Sequence, residues 1–170
     1  MLYIYIMRVK KRDGSFQEVS FDKVINRLKS LCEMAPQLHK IDVTEIAQKV
    51  CARIYDGVST GELDELAAEQ CTQKSVDHIE YSKLASRIII SNNHKTTSRS
   101  FSETVYILYN NKDVHGKAYP LISKDIFEFI MENKVKFNDY IDYSRDYNFD
   151  YFGFKTLEKA YLMKIDNVII

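Results

Sequence analysis

Apolar residues along this chain recur mainly at the spacing of amphipathic helices. A first helix is predicted to begin near Asp22, because the apolar positions that follow share one helical face. Those positions are Val24, Ile25, Leu28, Leu31 and Cys32. A second helix is predicted from near Asp42 through Ile54, with Gly57 as the residue that stops it.

Two further helices follow with clearer boundaries. Ser59 and Glu62 have the spacing of a capping box, in which a hydroxyl and a carboxylate each accept a hydrogen bond from an otherwise unpaired backbone N–H. The third helix is therefore predicted to begin after Ser59. The fourth is predicted from about Ile79 to Lys95, with an apolar face that includes Ile88.

The start of the chain has a different pattern, rich in β-branched and aromatic residues. Tyr3 to Lys11 is predicted to be a strand, and Phe16 to Phe21 the strand that returns beside it. Asp13-Gly14 between them is typical of a two-residue type I′ turn, which needs positive φ. We expect a hairpin here.

A second block follows the fourth helix. Its pattern predicts a short helix over 102–109, a helix that opens at Ser123, an irregular aromatic segment over 148–154 and a helix over 155–164. The final Val-Ile-Ile has no stop signal, so we expect the chain to continue into a larger domain. The predicted division is 1–98 for a regulatory domain and 99–170 for the beginning of a second, helical domain.

Composition narrows the class of protein. Of 170 residues, 45% are hydrophobic and 28% charged, and the formal net charge is zero, so no overall field favours nucleic acid or a membrane. The three cysteines, Cys32, Cys51 and Cys71, lack a Cys-x-x-Cys spacing and lie on apolar helical faces, which predicts core residues rather than a zinc ribbon. The short apolar start is a poor signal peptide, so we expect a cytoplasmic protein.

The main chemical signal is a cluster of cations around the predicted hairpin. Strand alternation places Arg8, Lys10 and Arg12 on one face and Lys11 with Val9 on the other, and Lys23 follows at the start of the first helix. Such cations near a helix N-terminus are suited to a polyphosphate. A solvated edge strand that resists aggregation is the alternative.

Other chemistry is sparse. Thr60 and Asp64 lie one turn apart at the start of the third helix. They are predicted to serve as a cap and a dipole partner, or Asp64 accepts hydrogen bonds from a sugar or base. The four histidines have no metal-ligand spacing, no carboxylate pair is placed for acid–base catalysis, and there is no Walker A motif. A bound nucleotide would be held without a P-loop.

The motifs now resemble those of a known family. Lys11-Arg-Asp-Gly14 with Val19-Ser-Phe-Asp-Lys23 resembles the opening of the ATP-cone, and Tyr55 to Asp64 is similar to the entry of its third helix. Leu84 to Ile88 and Ser91 to Lys95 resemble its last helix. These pieces follow family order over residues 8 to about 98.

The second block resembles a particular host of that module. Tyr143-Ser-Arg-Asp146 and Tyr151 to Leu162 are similar to the segment after the cone in class I ribonucleotide reductase large subunits of eukaryotic and viral type. The resemblance thus covers nearly the whole chain. It implies part of an oxidoreductase that makes deoxyribonucleotides from ribonucleoside diphosphates.

The resemblance also implies a fold and a site. The fold would be mainly α, a helical bundle capped by a β-hairpin or three-stranded sheet and followed by a helical segment. The effector would be ATP or dATP, with or without magnesium. The positions that match nucleotide contacts are Val9, Lys11, Arg12, Gln17, Asp22, Lys23, Thr60, Asp64 and Lys95.

The implied partners are the radical-generating small subunit and further large subunits, with no direct nucleic acid or membrane partner. No catalytic or metal-binding residue is expected in this chain, because the family's redox cysteines match none of its three. Gln17 departs from the pattern, since an acid is usual there and Glu18 follows one place later. The alternatives are a free-standing ATP-cone regulator and a helical interaction module that binds no nucleotide.

Overall fold

The computed structural model describes residues 7–166 and 168–170. In these ranges the chain is mainly helical and has two small antiparallel sheets, which confirms the predicted fold class. The helices are α1 (Phe21–Cys32), α2 (Val43–Cys51), α3 (Thr60–Gln73), α4 (Ile79–Thr96), α5 (Phe101–Tyr109), α6 (Lys124–Glu132), α7 (Lys134–Tyr140) and α8 (Tyr151–Ala160). The strands are β1 (Arg8–Lys10), β2 (Phe16–Glu18), β3 (Lys164–Ile165) and β4 (Val168–Ile169), and 3-10 segments lie at Lys74–Val76 and Tyr143–Asn148.

The main core lies between α1, α2, α3 and α4. Leu28, Ile46, Leu84 and Ile88 are almost completely excluded from solvent there. Burial of each such side chain contributes about 1.5–3 kcal/mol relative to exposure. Phe154 of α8 belongs to the same core, so the second block packs directly on the first four helices.

The β1–β2 hairpin is fastened to the helices through the loop before α3. Lys10 N–H donates to the Val58 carbonyl at 2.9 Å, and Gly57 N–H donates to the Arg8 carbonyl at 2.8 Å. Val9 is buried against Val58 in a small second core. The cap was predicted to be either a β-hairpin or a three-stranded sheet. The structure has the hairpin, and the loop before α3 lies where a third strand would pair.

The hairpin turn differs from the predicted type I′ turn. Five residues separate the two strands. Among them, Lys11 N–H donates to Ser15 O at 2.8 Å and Gly14 N–H donates to Lys11 O at 3.0 Å. Gly14 has φ of 84°, whereas Asp13 does not have positive φ. Glycine alone supplies the left-handed residue, as in a turn followed by a bulge.

The predicted ends of the two strands and of the second helix were partly wrong. The predicted strands shorten to β1 and β2; residues 3–6 of the first lie outside the described part, and Phe21 already belongs to α1. Helix α2 ends at Cys51, because Arg53 and Ile54 donate to carbonyls only three residues back. Gly57, predicted to end that helix, instead bonds to the hairpin.

Boundaries in the second block were predicted less well. Helix α7 and the β3–β4 hairpin were not predicted, and the segment predicted to be irregular over 148–154 contains the start of α8. Asp150 caps this helix by accepting from Gly153 N–H at 2.6 Å. The helix then ends at Ala160 rather than 164. The division at 98/99 stays a prediction.

The cysteines lie where apolar residues would. Cys71 and Cys32 are buried in the main core, and burial raises the pKa of Cys71 to about 12 and that of Cys32 to about 11. Cys51 is partly buried against the small core. Two of the three predicted core cysteines are thus confirmed. No helix in the described ranges is long and apolar enough to cross a bilayer.

Candidate nucleotide site

A cavity of about 220 Å³ lies between the hairpin, the first two turns of α1, the start of α3 and the end of α4. Eight of the nine positions that the sequence predicted for nucleotide contact line it. They are Val9, Lys11, Arg12, Gln17, Lys23, Thr60, Asp64 and Lys95. Asp22, in the first turn of α1, does not line it.

The hairpin turn brings two cations to the cavity. Lys11 and Arg12 both line it, although strand alternation predicted opposite faces for them. The alternation fails because β1 ends at Lys10 and both residues belong to the turn. Arg8 points elsewhere and pairs with Asp56, with 3.5 Å between Nη2 and Oδ2.

The capping box fixes the start of α3 and with it two site residues. Ser59 Oγ accepts from Glu62 N–H at 3.1 Å, and the Glu62 carboxylate accepts from Ser59 N–H at 2.8 Å. This backbone bond, together with the Tyr55 hydroxyl, holds the pKa of Glu62 below its usual value. Thr60 thus sits at the cavity wall, and Asp64, only 8% exposed, lies one turn deeper.

Sequence reasoning missed two residues that make polar contacts in or beside the site, as well as the apolar residues of its floor other than Val9. Arg27 of α1 lines the cavity and meets Asp64, with Nε at 3.3 Å from Oδ1 and Nη2 at 3.1 Å from Oδ2. Asn92 of α4 accepts a hydrogen bond from Arg12. Arg27 follows Lys23 by four residues and Asn92 precedes Lys95 by three, so each shares a helix face with a predicted site residue. This spacing could have identified both residues from the sequence.

The cavity has a strong excess of positive charge. Its lining contains five cations, Lys11, Arg12, Lys23, Arg27 and Lys95, against two acids, Glu18 and Asp64, an excess of three. The pKa of Lys95 lies below its ordinary value, chiefly because its ammonium group is partly desolvated, and also because Arg27 is near. Such a site favours an anion that can replace the lost hydration.

The floor of the cavity is apolar. Val9, Leu28 and Ala67 are each at least nine-tenths buried there, and Val24 and Leu63 extend the surface. One side of the cavity can therefore accept a flat, weakly polar group while the cations hold an anionic tail.

A second, larger cavity of about 390 Å³ lies beside the end of α4. It contains a hydrogen-bonded pair, His94 Nε2 and Asp146 Oδ2 at 2.7 Å, with the Tyr147 ring 5.5 Å from the imidazole. Its lining includes Arg99 but no cluster of cations. Within residues 7–166 and 168–170, no group of three or more His, Cys, Asp or Glu side chains is placed to hold a metal ion.

Comparison with known proteins shows which family the chain belongs to. The ATP cone domain matches residues 7–96, which include every residue of the cation cluster. Over 165 residues the chain is 47% identical to the ribonucleoside-diphosphate reductase large subunit of Arabidopsis thaliana, covering 96% of this chain and 20% of that protein. It is 46% identical to the corresponding subunit of Dictyostelium discoideum over 169 residues, covering 96% and 19%.

The similarity extends to fungi. Large chain 2 of the Saccharomyces cerevisiae enzyme is 41% identical over 164 residues, with 96% of this chain and 19% of that protein covered. The chain spans about one fifth of the length of the curated relatives it matches. The chain therefore belongs to the ATP-cone family, and along nearly its whole length it resembles one part of the large subunits of eukaryotic ribonucleoside-diphosphate reductases.

Proposed function

We propose that the cavity binds ATP or dATP as an allosteric effector, and that the chain is the overall-activity region of a ribonucleoside-diphosphate reductase large subunit. The observation that carries this proposal is the meeting of five cations and a buried carboxylate around an apolar floor. Cations from three separate elements would be costly to bring together without an anion to hold.

The phosphate groups are assigned to the cationic side. Lys11 and Arg12 come from the hairpin, Lys23 from the first turn of α1 and Lys95 from the last turn of α4. Each supplies charge-assisted donors to phosphate oxygens, and the N-terminus of α1 adds its dipole. Any magnesium that enters with the nucleotide is expected to be held chiefly by the phosphates and by water, as is usual for this ion.

The nucleoside is assigned to the apolar side. The base would lie against Val9 and Leu28, and Gln17, which also lines the cavity, would pair with its polar groups. Thr60 and Asp64 would bond to the sugar, the one part in which ATP and dATP differ. Asp64 suits this role because an ionised carboxylate only accepts, and a ribose hydroxyl donates.

Membership of the ATP-cone family supports the proposed regulatory role. We expect ATP to permit activity and dATP to suppress it through altered association of large subunits. The expected partners are the small radical-generating subunit and further copies of the large subunit, in the cytoplasm. Reduction of ribonucleoside diphosphates, with thioredoxin or glutaredoxin as the source of electrons, is assigned to the whole enzyme.

Titration calorimetry of the 170-residue chain tests the proposal. We expect heat of binding with both ATP and dATP, and we expect Asp64→Asn to bring the ratio of the two affinities closer to one. If ATP and dATP bind with equal affinity in both the wild type and the variant, Asp64 does not have this role. Heat with neither nucleotide would favour the alternative, a helical interaction module.

Catalysis is expected to require residues beyond this chain. Purified chain mixed with a radical-generating small subunit should not reduce any ribonucleoside diphosphate. Measurable reduction would contradict the assignment of a purely regulatory role. The other alternative, a free-standing ATP-cone regulator, is disfavoured because the similarity to reductase large subunits continues through the second block.

A further inference from the structure

The Arg27 side chain differs from the lysines of the cavity in that it pairs with a carboxylate. Its guanidinium meets Asp64 through two nitrogens, Nε at 3.3 Å from Oδ1 and Nη2 at 3.1 Å from Oδ2. The side chains of this pair are 22% and 10% exposed. Among the described residues, the ammonium groups of Lys11, Lys23 and Lys95 have no such carboxylate partner.

A two-pronged contact of this kind fixes the orientation of a carboxylate. The planar guanidinium matches the plane of the carboxylate, which a lysine ammonium cannot do. Arg12 of the hairpin turn also approaches Asp64, with its Nη2 3.7 Å from the same Oδ2, while it donates to Asn92. Asp64 is thus held by one arginine from α1 and one from the hairpin turn, with lone pairs still available to a ligand.

We infer that Arg27 is a positioning residue that aims the Asp64 carboxylate at the sugar of the bound nucleotide. It sets the ratio of the affinities for ATP and dATP, and it contributes little to binding of the phosphates. This inference rests on the proposed function, because it assigns a role within the same nucleotide site.

The position of Arg27 supports this division of labour. It lies one helical turn deeper in α1 than Lys23, which places it next to the buried acid and farther from the first turn. Its Nε and Nη2 groups already donate to Asp64. The guanidinium therefore neutralises and orients the acid, and the lysines remain to meet the triphosphate.

The test compares Arg27→Lys and Arg27→Met with wild type, using the full chain and three probes: ATP, dATP and inorganic tripolyphosphate. Arg27→Lys keeps the charge and loses the planar fork. We expect it to move the ratio of ATP and dATP affinities towards one by roughly 2- to 12-fold, the value of one hydrogen bond, and to leave tripolyphosphate binding within about 2-fold.

Two controls define what the result means. Lys29→Met, an exposed cation on the same helix, should leave all three affinities unchanged. In an Asp64→Asn background, Arg27→Lys should have no further effect on the ratio, because the group it positions is gone. Thermal melting of each variant, together with retained tripolyphosphate binding, confirms that the site is still folded.

The binding results distinguish failure of the Arg27 inference from failure of the proposed nucleotide site. If Arg27→Lys and Arg27→Met weaken all three probes equally at an unchanged ratio, Arg27 is a phosphate ligand and the inference fails. An unchanged ratio with unchanged affinities also overturns it. If the folded wild type binds none of the probes, the proposed nucleotide site itself is wrong.

Discussion

Arg87 offers a stringent test of how the helices that carry the site are held. It lies in the middle of α4 and is only 6% exposed, yet it has no ion-pair partner among the described residues. Its guanidinium donates to three backbone carbonyls: Leu31 at 2.9 Å, Met34 at 3.2 Å and Pro36 at 2.6 Å. Burial lowers its pKa below the ordinary value.

These contacts close the C-terminal end of α1. The last carbonyls of a helix lack partners within the helix, and a cation there also interacts favourably with the helix dipole. Arg87 thereby joins the end of α1 to α4. Because α1 carries Lys23 and Arg27 while α4 carries Lys95, this junction sets the spacing of the cations in the site.

Arg87→Met keeps most of the side-chain volume and removes all three donors. The bond to the buried Leu31 carbonyl is worth roughly 1.5–3 kcal/mol, as for hydrogen bonds from charged groups. The carbonyls of Met34 and Pro36 are nearer to solvent and can be rehydrated, so each adds less. We expect the free energy of unfolding to fall by about 2–4 kcal/mol in total.

Urea denaturation followed by circular dichroism measures this loss. The melting temperature should also fall, by roughly 2–4 °C for each kcal/mol in a chain of this size. Arg87→Lys should recover part of the loss, because one ammonium cannot reach all three carbonyls. Lys83→Met, an exposed change one turn earlier, should stay within about 0.5 kcal/mol. A loss below about 1 kcal/mol in Arg87→Met would refute this account of the junction.

Three further predictions concern the site and its supports. Ser59→Ala removes the α3 cap and should cost about 1 kcal/mol in urea denaturation; no loss would contradict the capping role. Hydrogen bonds from backbone N–H groups lower the pKa of Glu80 and of Glu62 below the ordinary 4.5. The stability that these carboxylates contribute should therefore be fully present above pH 4.5 and should be lost as the pH falls through their lowered pKa values. Unfolding at pH 3 and 6 checks this, and equal stabilities would contradict it. Lys23→Met should weaken ATP binding roughly 10- to 150-fold in calorimetry, and an unchanged affinity would remove Lys23 from the site.

Local physics made much of the fold predictable from sequence. The Ser59–Glu62 capping box and the apolar faces of α1 and α4 depend on residues three or four apart, so they can be read from spacing alone. The need for glycine at position 14 was also predictable, since few other residues tolerate φ of 84°. The cation cluster was visible because the hairpin and the start of α1 are close in sequence.

The tertiary structure decided which of these residues meet. Arg27 and Asp64 are 37 positions apart and Arg12 and Asn92 are 80 apart, so both contacts depend on how separate elements pack. The same is true of Phe154, whose burial in the main core no local pattern predicted. Asp22 shares its helix turn with Lys23 but lies outside the cavity lining, because neighbouring helical residues point about 100° apart. Spacing along a chain determines local shape, whereas contacts across helices are determined by the packing of the core.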